Sequence, residues 1–165
     1  IFTCGFSAGG HLAASAGILW NIPEVKAAMG DAPEGINRPD GMVLSYPVIT
    51  SGDQAHKGSI SNLVGKTNYT EEEGNKFSLE KHVDSTTPPM FIWHTVTDTC
   101  VPIRNTTMLI NAYLDNGLLF EAHIFPKGPH GLSLANEVTW EGNPDMVDPH
   151  VAKWIDLSVE WVNAQ

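Results

Sequence analysis

An α/β fold, a parallel sheet with helices on its faces, is what this chain of 165 residues predicts. Three observations carry that expectation. Apolar or β-prone runs alternate with helical stretches along the whole chain. The apolar runs are mostly continuous, as expected of strands covered on both faces. The first run passes through a serine between glycines directly into a helical stretch, giving strand, sharp turn and helix.

The elements follow in order. Ile1 to Cys4 is a short strand. From Gly9 to about Trp20, Leu12, Ala16 and Leu19, with Ala13 and Ile18 nearby, fall on one helical face, and Asn21-Ile22-Pro23 ends the helix. Residues 24–40, rich in Gly, Pro and charge, read as a surface connection with one helical turn around Val25 to Met29. Gly41 to Tyr46 is an apolar strand stopped by Pro47. Residues 50–87 form a long insert, with helical stretches near 60–64 and 71–80, and an excursion of this length between core strands is usually functional or mobile. Pro88 to Thr95 supplies the next buried strand. Val101-Pro102 opens a helix to about Asn116, where Gly117 stops it. Phe120 to Phe125 is another full strand. Asp148 to Asn163 is an amphipathic helix striped by Val151, Ile155, Val159 and Val162, with Trp154 and Trp161 beside the stripe. Residues 1–165 thus make one partial domain, from the serine turn to the last helix, with the insert 50–87 between strands.

A formal charge of −10 argues against nucleic acid and against an anionic membrane surface, both of which reward clustered Lys and Arg. Cys4 and Cys100 form no metal or redox motif and are expected to be free thiols; the expected location is cytoplasmic. The chain begins at Ile1 with the first strand barely started, so the N-terminal part of the fold is expected to lie outside this sequence.

Gly5-Phe6-Ser7-Ala8-Gly9 matches the G-x-S-x-G nucleophile elbow, in which strained backbone lifts a serine hydroxyl clear of the sheet. Both glycines are expected to be there because a Cβ would collide across the tight turn. The helix that follows aims free N–H groups and its positive dipole end at the same place, and the Ala8 N–H is the candidate oxyanion donor. A glycine-rich structural turn is the plain alternative for the pentapeptide alone. A phosphate loop is excluded, since His11 and Leu12 stand where its lysine and hydroxyl residue belong.

A serine needs a base, and the base needs a carboxylate to hold its tautomer. Functional loops of parallel α/β sheets lie past the carboxyl ends of the strands. Asp98 is the first carboxylate after the strand ending at Thr95, and His130 is the first histidine after the strand ending at Phe125. Alone, Asp98 reads as a helix cap and His130 as an ordinary loop residue; the order serine, aspartate, histidine on three separate loops makes them partners of Ser7. The other histidines are placed elsewhere: His11 along the first helix as a structural residue, His94 and His123 within strands, His56 and His82 in or near the insert, His150 in the last helix.

Gly5 through Leu12, Tyr46-Pro47-Val48-Ile49, the Asp98 loop through Val101-Pro102, and Pro129-His130-Gly131-Leu132 together resemble the α/β-hydrolase superfamily, and within it bacterial esterases similar to acetyl-xylan and other carbohydrate acetyl esterases. The resemblance implies the C-terminal half of a three-layer α/β/α fold, with Ser7, Asp98 and His130 as triad and no cofactor or metal. It implies hydrolysis of small-molecule carboxylic esters with short, acetyl-like acyl groups, carried on carbohydrate. A prolyl-oligopeptidase-type peptidase, which shares the triad order, and a non-catalytic interaction module are the alternatives. Relatives carry an upstream His-Gly-Gly type loop that gives a second oxyanion N–H, and nothing here matches it. Loss of one such donor costs about 10² to 10³ in turnover, so weak or absent activity is expected of this stretch alone. Its partner would be the other half of the fold, or a second copy paired through the Ile1 to Cys4 edge. The histidine base must be neutral, so activity should fall below about pH 6 to 7.

Overall fold

The computed structural model describes residues 1–165. Its elements are β1 (Phe2–Phe6), α1 (Ser7–Ile18), α2 (Pro23–Met29), β2 (Gly41–Ser45), α3 (Lys57–Val64), α4 (Glu71–Asn75), β3 (Met90–Thr95), α5 (Arg104–Asp115), β4 (Phe120–Phe125) and α6 (Trp154–Asn163), with 3₁₀ turns at Leu79–Lys81, Pro144–Met146 and Val151–Lys153. The four strands form one parallel sheet in the order β1-β2-β3-β4. No helix is long and apolar enough to cross a membrane.

The two central strands are buried from end to end, which is why their sequences are continuously apolar. Period-two alternation then divides each strand between two cores. Met42, Leu44, Met90 and Ile92 meet Ala13, Ala14, Ile18, Leu109 and Tyr113 on one face. Val43, Phe91, Trp93 and Phe125 meet Val151, Trp154 and Trp161 on the other. The outer strands are only partly covered, and β4 has a single buried residue, Phe125. One edge of β1 has no hydrogen-bonded neighbour in the sheet.

Both helical stripes read from the sequence hold in part and are corrected at Leu12, Ala16 and Val159, which are exposed. In α1 the buried residues are Gly10, His11, Ala13, Ala14, Gly17 and Ile18, whereas Leu12 is 73% exposed. Small residues let the helix lie close against β1 and β2. Leu12 instead lines, with Leu63 and Phe77, an open apolar cleft of about 580 Å³ beside Ala8, and Leu19 reaches this cleft while packing against the core. In α6 the core-facing side chains are Trp154, Ser158 and Trp161, preceded by Val151, while Val159 lies on the exposed side. The two tryptophans fill the space over Phe2, Phe91 and Trp93, with Val151 beside them and Ile155 and Val162 at the edge of the same cluster.

Local signals explain the rest. The stretch 24–40 holds two turns of helix in α2, with Pro23 in the first turn, where its missing N–H costs nothing. The insert splits into α3, α4 and the Leu79–Lys81 turn, and α4 starts with a capping box between Thr70 and Glu73. Gly117, at φ 65°, follows the α5 cap Asn116.

Candidate active site

Ser7 sits where β1 becomes α1, at φ 54°. A side-chain-bearing residue adopts this region rarely and at a cost of about 1–3 kcal/mol. The turn is tight enough that a Cβ on Gly5 would lie 2.1 Å from the Gly9 carbonyl oxygen, so only glycine fits there. At Gly9 the expectation fails: a Cβ there meets nothing within 4 Å. Gly9 points outward, and the crowding is one-sided. The Ser7 carbonyl is held by the Val48 N–H at 3.0 Å, which ties the elbow to the chain just past β2.

The first turn of α1 has no side-chain cap and no acidic residue. The Ala8 N–H, on the residue after Ser7, is among the helix-terminal donors with no intrahelical partner.

The structure brings the other two predicted residues to the serine. The Ser7 Oγ is 2.8 Å from His130 Nε2, and His130 Nδ1 is 2.6 Å from Asp98 Oδ2. A carboxylate only accepts, so Nδ1 carries the hydrogen and Nε2 is left to accept from the serine hydroxyl. The Asp98 side chain is 1% exposed and the imidazole 20%, so the acid is sealed while the base reaches solvent.

Cross-loop contacts set this geometry. The Thr95 and Thr97 hydroxyls both donate to the Gly128 carbonyl, at 2.8 and 3.2 Å. The Gly128 N–H donates to Thr97 Oγ1 at 2.9 Å. Gly128 has φ 150°, and a Cβ on it would lie 2.6 Å from Leu132 Cδ1 and 2.9 Å from Thr95 Cγ2, so glycine is what lets the loop that carries His130 lie against the loop that carries Asp98.

Asp98 Oδ1 accepts from the Cys100 and Val101 N–H groups at 2.8 and 2.9 Å. Oδ2 takes His130 and also His94 Nε2, at 3.2 Å. Burial alone would raise the pKa of this carboxyl, but the bonds from His130, His94, Val101 and Cys100 outweigh it and hold the group well below the usual carboxylate range. Asp98 is thereby held as a carboxylate beside the imidazole at neutral pH.

Two contributors were not read from the sequence. His94, within β3, is fully buried and bonds Asp98, the Val101 carbonyl and Thr106; its spacing of four residues from Asp98 across the strand end was the available signal. Tyr46 lies edge-on to the His130 ring, with centroids 5.0 Å apart, and its hydroxyl accepts the Ser133 N–H at 3.0 Å. Burial, joined by the Asp98 charge and opposed by that bond, pushes its phenol up to about 12. His11, within α1, bonds the Phe77 carbonyl at 2.9 Å through Nε2 and meets the Ser15 hydroxyl at 3.3 Å through Nδ1. Cys4 and Cys100 are free.

Residues 1–113 match the family model BD-FAE. The chain is 42% identical over 138 residues to an endo-1,4-beta-xylanase B from Butyrivibrio fibrisolvens, covering 84% of this chain and 21% of that protein. Among solved structures it is similar to an acetyl ester-xyloside bifunctional hydrolase from Caldicellulosiruptor lactoaceticus, with TM-score 0.78 and 35% identity over 98% of this chain and 55% of that one. A carboxylesterase from Lactobacillus plantarum gives TM-score 0.82 and 29% identity over 100% and 58%. The chain therefore spans little more than half of these solved relatives and about a fifth of the xylanase-named one.

Proposed function

The chain belongs to the BD-FAE family of α/β-hydrolase esterases, and from that premise we propose that it carries the catalytic side chains of a serine hydrolase acting on carboxylic esters. The observation that supports this reading most is the unbroken hydrogen-bond line from Ser7 through His130 to Asp98. Ser7 Oγ attacks the ester carbonyl as His130 Nε2 takes its proton. Asp98 stabilises the imidazolium, and the Ala8 N–H receives the oxyanion. His130 then returns the proton to the leaving alcohol. Water, activated by the same imidazole, releases the acid from the acyl-serine.

The substrate class proposed is short-acyl, acetyl-like esters on carbohydrate; the acetyl ester and xyloside chemistry named for one relative and the xylanase name of another support it. The free edge of β1 is proposed to be paired, either by further strands of a longer polypeptide or by a second copy of this chain. Such pairing would sit beside Ser7 and could bring in a second oxyanion donor.

A fluorophosphonate probe tests the core of the proposal. It should label the wild-type chain at Ser7 and leave Ser7→Ala unlabelled, with hydrolysis of an acetyl ester falling to background in the same variant. A wild-type chain that neither labels nor turns over, both alone and with its edge partner, refutes the reading.

A further inference from the structure

We propose that His94 is a positioning residue: acting through Asp98, it fixes the orientation and basicity of His130. The proposal rests on the esterase reading above. Its foundation is a second imidazole on the same carboxylate oxygen that serves His130.

Asp98 belongs to a surface loop. Val96, Thr97, Thr99 and Cys100 around it are exposed, yet the Asp98 side chain is sealed. Backbone N–H groups of that same loop hold Oδ1, one of them from Val101, which packs on Val48 and Ile60. Oδ2 is tied to the sheet by a side chain, and His94 is that tie. His94 stands in β3, which is buried throughout, and its ring is anchored a second time by Thr106 of α5, at 2.7 Å.

The bonding pattern sets the ring's state. Nε2 faces the Val101 carbonyl oxygen at 3.0 Å and Asp98 Oδ2 at 3.2 Å. Both are acceptors, so Nε2 carries a hydrogen and shares it between them. Nδ1 faces the Thr106 hydroxyl, which serves either as donor or as acceptor. Every polar atom of the buried ring is thereby satisfied. Asp98 Oδ2 receives two N–H donors, one from each histidine.

Removing the His94 donor has two effects on the neighbouring base. The Asp98 charge falls more fully on His130, which favours the imidazolium. The carboxylate also loses its attachment to β3 and α5, so the imidazole is aimed less well at Ser7. The groups facing His130 are Ser7, Asp98 and Tyr46, and those facing His94 are Asp98, the Val101 carbonyl and Thr106. A histidine that merely filled the core would affect stability alone.

The test compares the full chain as wild type, His94→Leu, His94→Gln and Thr106→Val. Acetyl-ester turnover and fluorophosphonate labelling are followed against pH, together with NMR titration of the His130 imidazole. His94→Leu should move the His130 titration and the acid limb of the rate profile upward by roughly one pH unit, as loss of one charge-assisted bond would. It should lower kcat by about ten- to a hundred-fold, less than the roughly 10⁴ of losing the acid itself, with KM nearly unchanged. His94→Gln, which keeps an N–H for Asp98, should restore most of both. Thr106→Val should shift the titration in the same direction by a smaller amount.

Unchanged titration and kcat in a folded His94→Leu overturn the proposal, as does a His94→Gln as impaired as the leucine variant. If the leucine variant does not fold, a Thr106→Val with wild-type titration overturns it instead. A wild-type chain without esterase activity defeats the catalytic reading only, because the His130 titrations still decide this one.

Discussion

Two acids enclosed by the fold, Asp98 in the loop after β3 and Glu80 in the 50–87 insert, have opposite fates. Asp98 accepts from four donors and is held ionised. The oxygens of Glu80 are shielded from solvent and have no hydrogen-bond partner. Burial pushes the Glu80 carboxyl above its usual range, against a weaker pull from the nearby Thr50 hydroxyl, which does not reach hydrogen-bond geometry, and from Lys81 and His82. Burial is common to both; the number of donors decides the sign. The fold supplies donors to the acid behind the imidazole and leaves the insert's acid without them.

The contrast can be broken from the Asp98 side first. Asp98→Asn should cost about 10⁴ in kcat, because the amide can no longer hold the base in the tautomer that accepts from Ser7; initial rates on an acetyl ester measure it. The same variant should flatten acid denaturation. The folded Asp98 value lies below the ordinary 3.8, so the stability this group contributes is complete above that pH and is lost as pH falls below it. Denaturant midpoints from pH 5 to pH 2 should therefore drop more steeply in wild type than in Asp98→Asn.

Glu80 gives the smaller and opposite effect. Its folded value lies above the ordinary 4.5, so its favourable contribution is present below that pH and lost as pH rises through the folded value. Glu80→Gln should raise the melting temperature at pH 7 by about 2 °C, and the gain should vanish near pH 4, where Glu80 itself is neutral. Equal gains at both pH values would mean that charge is not what penalises this position.

The sheet was legible because strands covered on both faces are apolar without interruption, as residues 41–46 and 88–95 are. The helix faces were legible only in part. Hydrophobicity singled out Leu12 and Val159, but close approach of α1 to the sheet selects Ala13, Ala14 and Gly17, and the tryptophans of α6 take the room over β3. Ser7, Asp98 and His130 could be named because each follows the end of a different strand. What holds them could not. The Thr97–Gly128 link joins residues 31 positions apart, and His94 in a strand looks like any core histidine until Asp98 folds back onto it. Gly9 shows the reverse error, a motif residue whose steric necessity is not found in this chain.

The aromatic cluster under the site has an optical consequence. His130 meets the Tyr46 ring edge-on, Tyr46 meets Trp93 at 5.0 Å, and Trp93 stacks on Trp154 at 5.3 Å and 25°. Stacked indoles couple their electronic transitions, and these sit one phenol ring away from the imidazole. Near-ultraviolet circular dichroism and intrinsic emission should therefore register a displaced or protonated His130 in a cuvette holding neither substrate nor dye.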